Sequence, residues 1–219
     1  MRGFRRGSRA IGCAVISVLL LFVLGPGSAR AQSPQFWPEI DFSITRGHIN
    51  LLVPSLVRLD PTAANPQFVA TGAVGTAAFG SHLSVSAGYL FADLPQKSAV
   101  AHVPLVAVTP ILSAHRWSIS DMSRFERLIS YSNQPYRYRN RAGVDYALGK
   151  DRRVHIYAVN EYFVNLSTAS WNQNRAQVGI GLSANRYSRF DLYYLQRSAP
   201  GGAETPVIGT VLTIRFNRR

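Results

Sequence analysis

Cysteine is all but missing from this chain. Its one copy, Cys13, lies within the segment Met1 to Ala31, so nothing after that segment can form a disulfide framework or a thiolate metal site. Lysine is nearly as scarce, because Lys97 and Lys150 are the only lysines among 24 basic residues. Long apolar runs are also lacking. Ile11 to Leu24 falls short of the roughly 20 residues that a membrane-spanning helix needs, and Ala99 to Leu112 is interrupted by His102, Pro104 and Pro110. No set of His, Asp and Glu has metal-ligand spacing. No metal or cofactor is therefore expected, and a helical membrane bundle is excluded.

The segment Met1 to Ala31 has the layout of an export signal. Arg2, Arg5, Arg6 and Arg9 precede the apolar stretch, Gly25-Pro26-Gly27 breaks it, and Ala29-Arg30-Ala31 offers a small-x-small cleavage site before Gln32. Cys13 precedes the apolar run instead of following it, which argues against lipidation. The signal carries five arginines and no acid, so 24 basic residues become 19 against 11 acidic ones, a net charge of +8 on the mature chain. Those arginines are spread along the chain instead of forming one block, and an exported protein rarely meets nucleic acid, so nucleic acid is not expected as a partner.

After Ala31 the dominant signal has period two, the mark of half-buried strands. In Gln173 to Tyr187, Ala176, Val178, Ile180, Leu182 and Ala184 share one face, and Arg175, Gln177, Gly179, Gly181 and Ser183 share the other. His82 to Phe91 repeats the pattern, with Leu83, Val85, Ala87, Tyr89 and Phe91 opposite Ser84, Ser86 and Gly88. Strands are predicted at 48–59, 67–79, 82–92, 99–113, 115–129, 136–148, 153–166, 173–186, 189–197 and 206–216. Most are longer than the strands usual in soluble sheets and suit the length a tilted membrane strand needs.

Connector lengths alternate. Gly80-Ser81, Ser113-Ala114, Gly149 to Arg152 and Tyr187-Ser188 are short, whereas Asp60 to Pro66, Asp93 to Ser98, Ser130 to Pro135, Ser167 to Asn172 and Ser198 to Thr205 are longer. Outer-membrane barrels have short periplasmic turns and longer outer loops. The expected fold is thus all-β: a transmembrane antiparallel up-and-down barrel of 10–12 strands. The chain divides into a signal peptide over 1–31, an N-terminal segment or first strand over 32–47, and the barrel over 48–219. Ten strands satisfy an even count with the carboxyl end in the periplasm. The segment 36–46 also reads as a strand; in the wall it makes eleven and leaves the amino end outside.

Only helices and closed barrels span a bilayer, because backbone groups there have no water to bond. Trp117, Tyr136, Tyr146, Tyr187, Phe190 and Phe216 fall near strand ends, where an aromatic girdle belongs. An arginine facing lipid at mid-depth costs about 2–4 kcal/mol, so most arginines are expected in the lumen or in loops. Asp121, Asn140 and Asn160 fall on the lipid face by parity, and 99–113 is apolar on both faces. A bulge or a one-residue slip flips such a stretch. A soluble periplasmic sandwich shares the alternation but needs neither repeated arginines on one strand face nor so little lysine.

Four motifs follow one another in the mature chain. They are Phe36-Trp37-Pro38-Glu39-Ile40-Asp41, then Arg137-Tyr138-Arg139-Asn140-Arg141 with Asp145-Tyr146, then Asn160-Glu161-Tyr162-Phe163-Val164-Asn165, then Trp171-Asn172-Gln173-Asn174-Arg175. In this the chain resembles an uncharacterised family of bacterial outer-membrane β-barrels, the domain of unknown function 2490. The likeness is strongest from Tyr136 to Tyr194. It implies a barrel in the outer membrane, with lipid and lipopolysaccharide around it and the barrel-assembly machinery as its partner in biogenesis. It implies no activity. Strands of such proteins commonly end on an aromatic, whereas here Asn217-Arg218-Arg219 follow Phe216.

Arg124, Glu126, Arg137, Arg139, Arg141, Asp145, Glu161, Arg175 and Asp191 are predicted to face inward from neighbouring strands. They suit a network of Arg–carboxylate pairs filling a narrow lumen, since the guanidinium fork matches a carboxylate. A narrow anion-preferring conduit is the alternative. A hydrolase is a third. It needs a serine oriented to a histidine, yet His48, His82, His102, His115 and His155 are scattered.

Overall fold

The computed structural model describes residues 34–60, 66–130 and 135–218. The export signal and its cleavage site lie outside the described residues, as do the connector tips at 61–65 and 131–134. Eleven strands form one closed ring in chain order. They are β1 (Gln35–Arg46), β2 (Ile49–Arg58), β3 (Phe68–Phe79), β4 (Leu83–Leu94), β5 (Ala99–Ala114), β6 (Trp117–Arg127), β7 (Tyr136–Leu148), β8 (Val154–Asn165), β9 (Ser170–Ser183), β10 (Ser188–Ser198) and β11 (Glu204–Arg218). A 12-residue strand such as β8 runs roughly 40 Å, and at a tilt near 45° it stands about 28 Å tall. That matches the apolar band of a membrane barrel, about 25 Å.

The even strand count expected from the connectors does not hold. The segment 36–46 belongs to the wall as β1, which pairs antiparallel with β2. It also pairs parallel with β11, from Gln35↔Val207 to Arg46↔Arg218. An odd ring necessarily sets its first and last strands in the same direction. A parallel ladder still satisfies both backbones, with slanted and slightly weaker bonds. β1 therefore starts at the end of the barrel that carries the longer connectors, and β11 finishes at the end with the tight turns. At that tight end Gly47 (φ 58°) takes the left-handed backbone that a two-residue hairpin turn demands, and Gly80 (φ 68°) takes it in the three-residue turn between β3 and β4. Ser170, Trp171 and Asn172 lie within β9 and not in a loop, so the β8–β9 connector is as short as the turns opposite.

Parity sorts the side chains. Ile40, Phe42, Val85, Tyr89, Val106, Ile180, Leu192 and Ile208 are exposed apolar residues on the outer face. Aromatic residues mark both rims: Phe79, Tyr187 and Phe216 near the turns, Phe36, Phe125 and Tyr136 near the longer connectors. Trp117 and Tyr146, directly paired across β6 and β7, hold their ring centroids 4.5 Å apart. The doubly apolar stretch of β5 is resolved by burial. Its inward Ala101, Val103, Leu105 and Ala107 are buried, whereas outward Val106 and Val108 are exposed.

No bulge or one-residue slip flips Asp121, Asn140 or Asn160. Register runs unbroken between β6 and β7 and between β7 and β8. The shift in the β8–β9 pairing falls at Phe163/Val164, beyond all three residues. They keep their outward parity.

Inward glycines carry aromatic rings. Gly179 stands opposite Tyr157, and Gly209 stands opposite Tyr193; a β-carbon at either glycine would fall inside its partner's ring. At Gly75, on the outer face, an added β-carbon meets only the Ala87 carbonyl oxygen at 3.8 Å. Gly179→Val and Gly209→Val are expected to destabilise the folded barrel by about 1–3 kcal/mol through overpacking. Gly75→Val is expected to be near neutral. Urea unfolding in lipid vesicles, followed by tryptophan fluorescence, compares the three.

Candidate functional site

Arginine and carboxylate side chains on the polar faces of these strands would have to lie in hydrocarbon if turned outward, so the alternation turns them toward the axis. Two contacts show the interior directly. Arg189 of β10 brings Nη2 to 3.9 Å from Asp145 Oδ2 of β7, three strands away in the ring. The Arg175 guanidinium of β9 lies 5.2 Å from the Trp37 ring centroid of β1. Each reaches over two intervening strands, so these side chains lie on the inner face.

The structure places all nine charged residues singled out above on this inner face, in three groups. In the first, Glu126 takes Arg124 (Nε–Oε1 2.7 Å) and Arg137 (Nε–Oε2 2.6 Å). The Arg124 contact is close enough for an ion pair but too bent for a hydrogen bond, so Arg124 Nε and Glu126 Oε1 lack a hydrogen-bond partner among the described residues. In the second, Glu161 takes Arg139, Arg141 at 3.1 Å and Arg175 at 3.5 Å. In the third, Asp191 receives a two-nitrogen fork from Arg189, with Nη2–Oδ1 2.7 Å and Nε–Oδ2 2.9 Å. Asp145 meets His155 Nδ1 at 2.8 Å.

The first two groups converge on one ring. The guanidinium carbons of Arg175, Arg139 and Arg137 lie 4.7, 5.1 and 5.4 Å from the Phe163 centroid. Each distance is within reach of a cation–π attraction. Arg58, unremarked in the sequence, sits 4.2 Å from both the Trp37 and Phe68 centroids. The Trp37 indole in turn donates to Gln35 Oε1 at 3.0 Å. Phe163 is 2 % exposed, Trp37 3 %, Glu126 3 % and Glu161 4 %. These residues are covered by neighbouring side chains of the inner face.

Toward the tight turns the interior changes character. On β1 to β6, Ser43, Thr45, Asn50, Thr76, Ser86, Thr109 and Ser120 line it, all only half-buried. Asn50 donates to Ser43 Oγ at 2.7 Å and to Thr45 Oγ1 at 2.9 Å. Near the longer connectors the inner face is thus built of arginines, carboxylates and rings, whereas toward the tight turns it combines small polar groups with the group of Asp145, His155, Arg189 and Asp191.

Arg189 and Arg58 were legible from parity, since Arg189 is two residues from Asp191 and Arg58 closes a predicted strand. Trp37 was hidden because its segment had no settled place. Of the histidines, His155 faces the lumen, and His102 faces outward, held by the Tyr89 hydroxyl. His48, His82 and His115 sit at turns. Among the described residues no group of three side chains is arranged to hold a metal ion.

A profile described as a protein of unknown function, DUF2490, matches residues 35–205. The chain belongs to this family. The match starts on β1 and runs to the start of β11, so β1 is part of the family domain. No curated protein matches the chain. Among solved structures, a KdgM porin is similar at 14 % sequence identity, with a TM-score of 0.48 over 80 % of this chain and 95 % of that one.

Glu161 is the most heavily used acid. Glu161→Gln leaves Arg139 and Arg175 buried beside each other, and is expected to cost about 3–5 kcal/mol, the scale for a buried charge deprived of its partner. Arg141→Gln, whose side chain is 41 % exposed, is expected to cost under about 1 kcal/mol. Paired urea midpoints in one lipid system measure both.

Proposed function

We propose that this chain is an outer-membrane β-barrel with a filled lumen, a structural element of that membrane and not an open diffusion pore. The signal-like segment Met1 to Ala31, with cleavage after Ala31, would deliver it through the inner membrane. The barrel-assembly machinery would then insert it, and lipid and lipopolysaccharide would surround its apolar face. The closed ring and the exposed apolar belt support the location, because a soluble sheet would not leave so much apolar surface in water.

One observation carries the filled-lumen proposal: Phe163, on the inner wall, is almost wholly shut off from solvent under three guanidinium groups. A second reading, a narrow anion-preferring path, is favoured by stoichiometry. Five arginines share the carboxylates of Glu126 and Glu161, so this level of the barrel is net positive. His155 rests against Asp145, and catalysis forms no part of the proposal.

Planar-bilayer recording separates the two. The refolded wild type is expected to give no stepwise conductance, and the double variant Trp37→Ala/Phe163→Ala to give open steps. Wild-type steps whose reversal potential favours chloride would establish the anion path and remove the filled barrel. Extraction of the native protein by alkaline carbonate without detergent would remove the membrane location itself.

A further inference from the structure

At mid-depth the outer face carries charged and carboxamide side chains on one side. On β6 to β9, Asp121, Asn140, Asn160 and Asn174 point away from the lumen. Asp121 is the fifth residue of β6, Asn140 the fifth of β7, Asn160 the seventh of β8 and Asn174 the fifth of β9, so none is at a rim. They bond in pairs along the wall: Asn140 Nδ2 donates to Asp121 Oδ1 at 2.6 Å, and Asn160 Nδ2 donates to Asn174 Oδ1 at 3.0 Å. Cross-strand register ties them into one patch, through Asp121↔Ala142, Ala142↔Asn160 and Asn160↔Ala176. Elsewhere in the described strands, charged and carboxamide groups on the outer face, such as Arg46, Asp93 and Glu204, stand near strand ends. The side of the ring opposite the patch, around Val53 of β2, carries aliphatic residues and the Ser55–Thr71 hydroxyl pair there, and neither charge nor carboxamide.

Lipid tails offer such groups nothing. Polar side chains within a membrane turn toward protein or water, because hydrocarbon cannot meet their hydrogen-bonding capacity. These bonds do not use that capacity up, even with Asn140 Nδ2 also donating to the Met122 carbonyl at 3.4 Å. A carboxamide carries two donors and an acceptor with two lone pairs, and a carboxylate offers several further acceptor positions. On the basis that the barrel spans a membrane, the geometry points to a homodimer in which the β6–β9 face of one barrel packs against the same face of a second copy.

Two features single out a second copy. Carboxamides are both donor and acceptor, so a patch built on them is self-complementary, as a two-fold interface requires. Asp121 would find in the copy the amide N–H donors that it cannot find in lipid. Two copies inserted in the same direction also bring these residues to equal depth automatically. The alanines between the polar groups, Ala142 and Ala176, let the walls approach closely, as small residues do at membrane interfaces.

The full-length protein in its native membrane tests this. With no cysteine after Cys13, Asn160→Cys and Val53→Cys each introduce one thiol at mid-depth on opposite sides of the barrel. A short bis-maleimide should link Asn160→Cys into a species of twice the mass and leave Val53→Cys monomeric. Light scattering of the detergent-purified wild type should give two copies. The triple variant Asp121→Leu/Asn140→Leu/Asn160→Leu should give one, while keeping the heat-dependent gel mobility of a folded barrel. Equal linking at both positions, linking of Asn160→Cys to a different protein, or a membrane-bound wild type of one-copy mass would overturn the dimer alone. Release from the membrane by carbonate would overturn it together with the membrane location.

Discussion

A sheet set in hydrocarbon cannot leave an edge, because an unpaired amide or carbonyl there has nothing to bond. Every other feature of this molecule follows from meeting that demand with eleven strands. Closure forces the wall into a ring, the ring gives each strand an inside and an outside, and alternation then assigns every residue to one of two solvents. The outer set is apolar and rimmed with aromatics. The inner set gathers charge that the outside cannot hold.

Placing so much charge in a narrow space raises a second requirement, that the charges satisfy one another. Arginine meets it better than lysine, since one planar group engages a carboxylate with two nitrogens and also lies against a ring. Both uses occur here. Arg189 forks onto Asp191, whereas Arg58 is held between Trp37 and Phe68. The scarcity of lysine thus has a structural counterpart in an inner face built of guanidinium planes, acids and rings.

Most of the wall could be read from period two alone, because a barrel strand is the simplest case of that signal: two faces, two environments, no third layer. What escaped the sequence involved relations between distant segments. Nothing local in Gln35–Arg46 tells whether it pairs parallel with β11 or lies elsewhere, and a preference for even counts pointed away from the answer. The β5 stretch looked ambiguous because its inner face packs apolar residues against β4 neighbours such as Ala92 and Leu94, so both sides read alike. Asp121, Asn140 and Asn160 looked like errors of register. They are correctly placed, and their discord with lipid is itself information. The nine charged positions lay on one parity in the sequence, but which acid each arginine would choose depends on side-chain reach across the ring, which no one-dimensional pattern contains.

The parallel seam has a consequence for how the molecule comes into being. Neighbouring strands elsewhere are joined by a hairpin and find each other locally. The ladder between β1 and β11 instead begins with Gln35 against Val207, partners separated by nearly the whole length of the polypeptide. Loop closure on that scale is slow and entropically unfavourable, and no turn holds the two edges in register while they wait. The edge of β1 therefore gains its ladder partner only when the final strand arrives. Closure of the ring is thus concentrated on a single line down the wall.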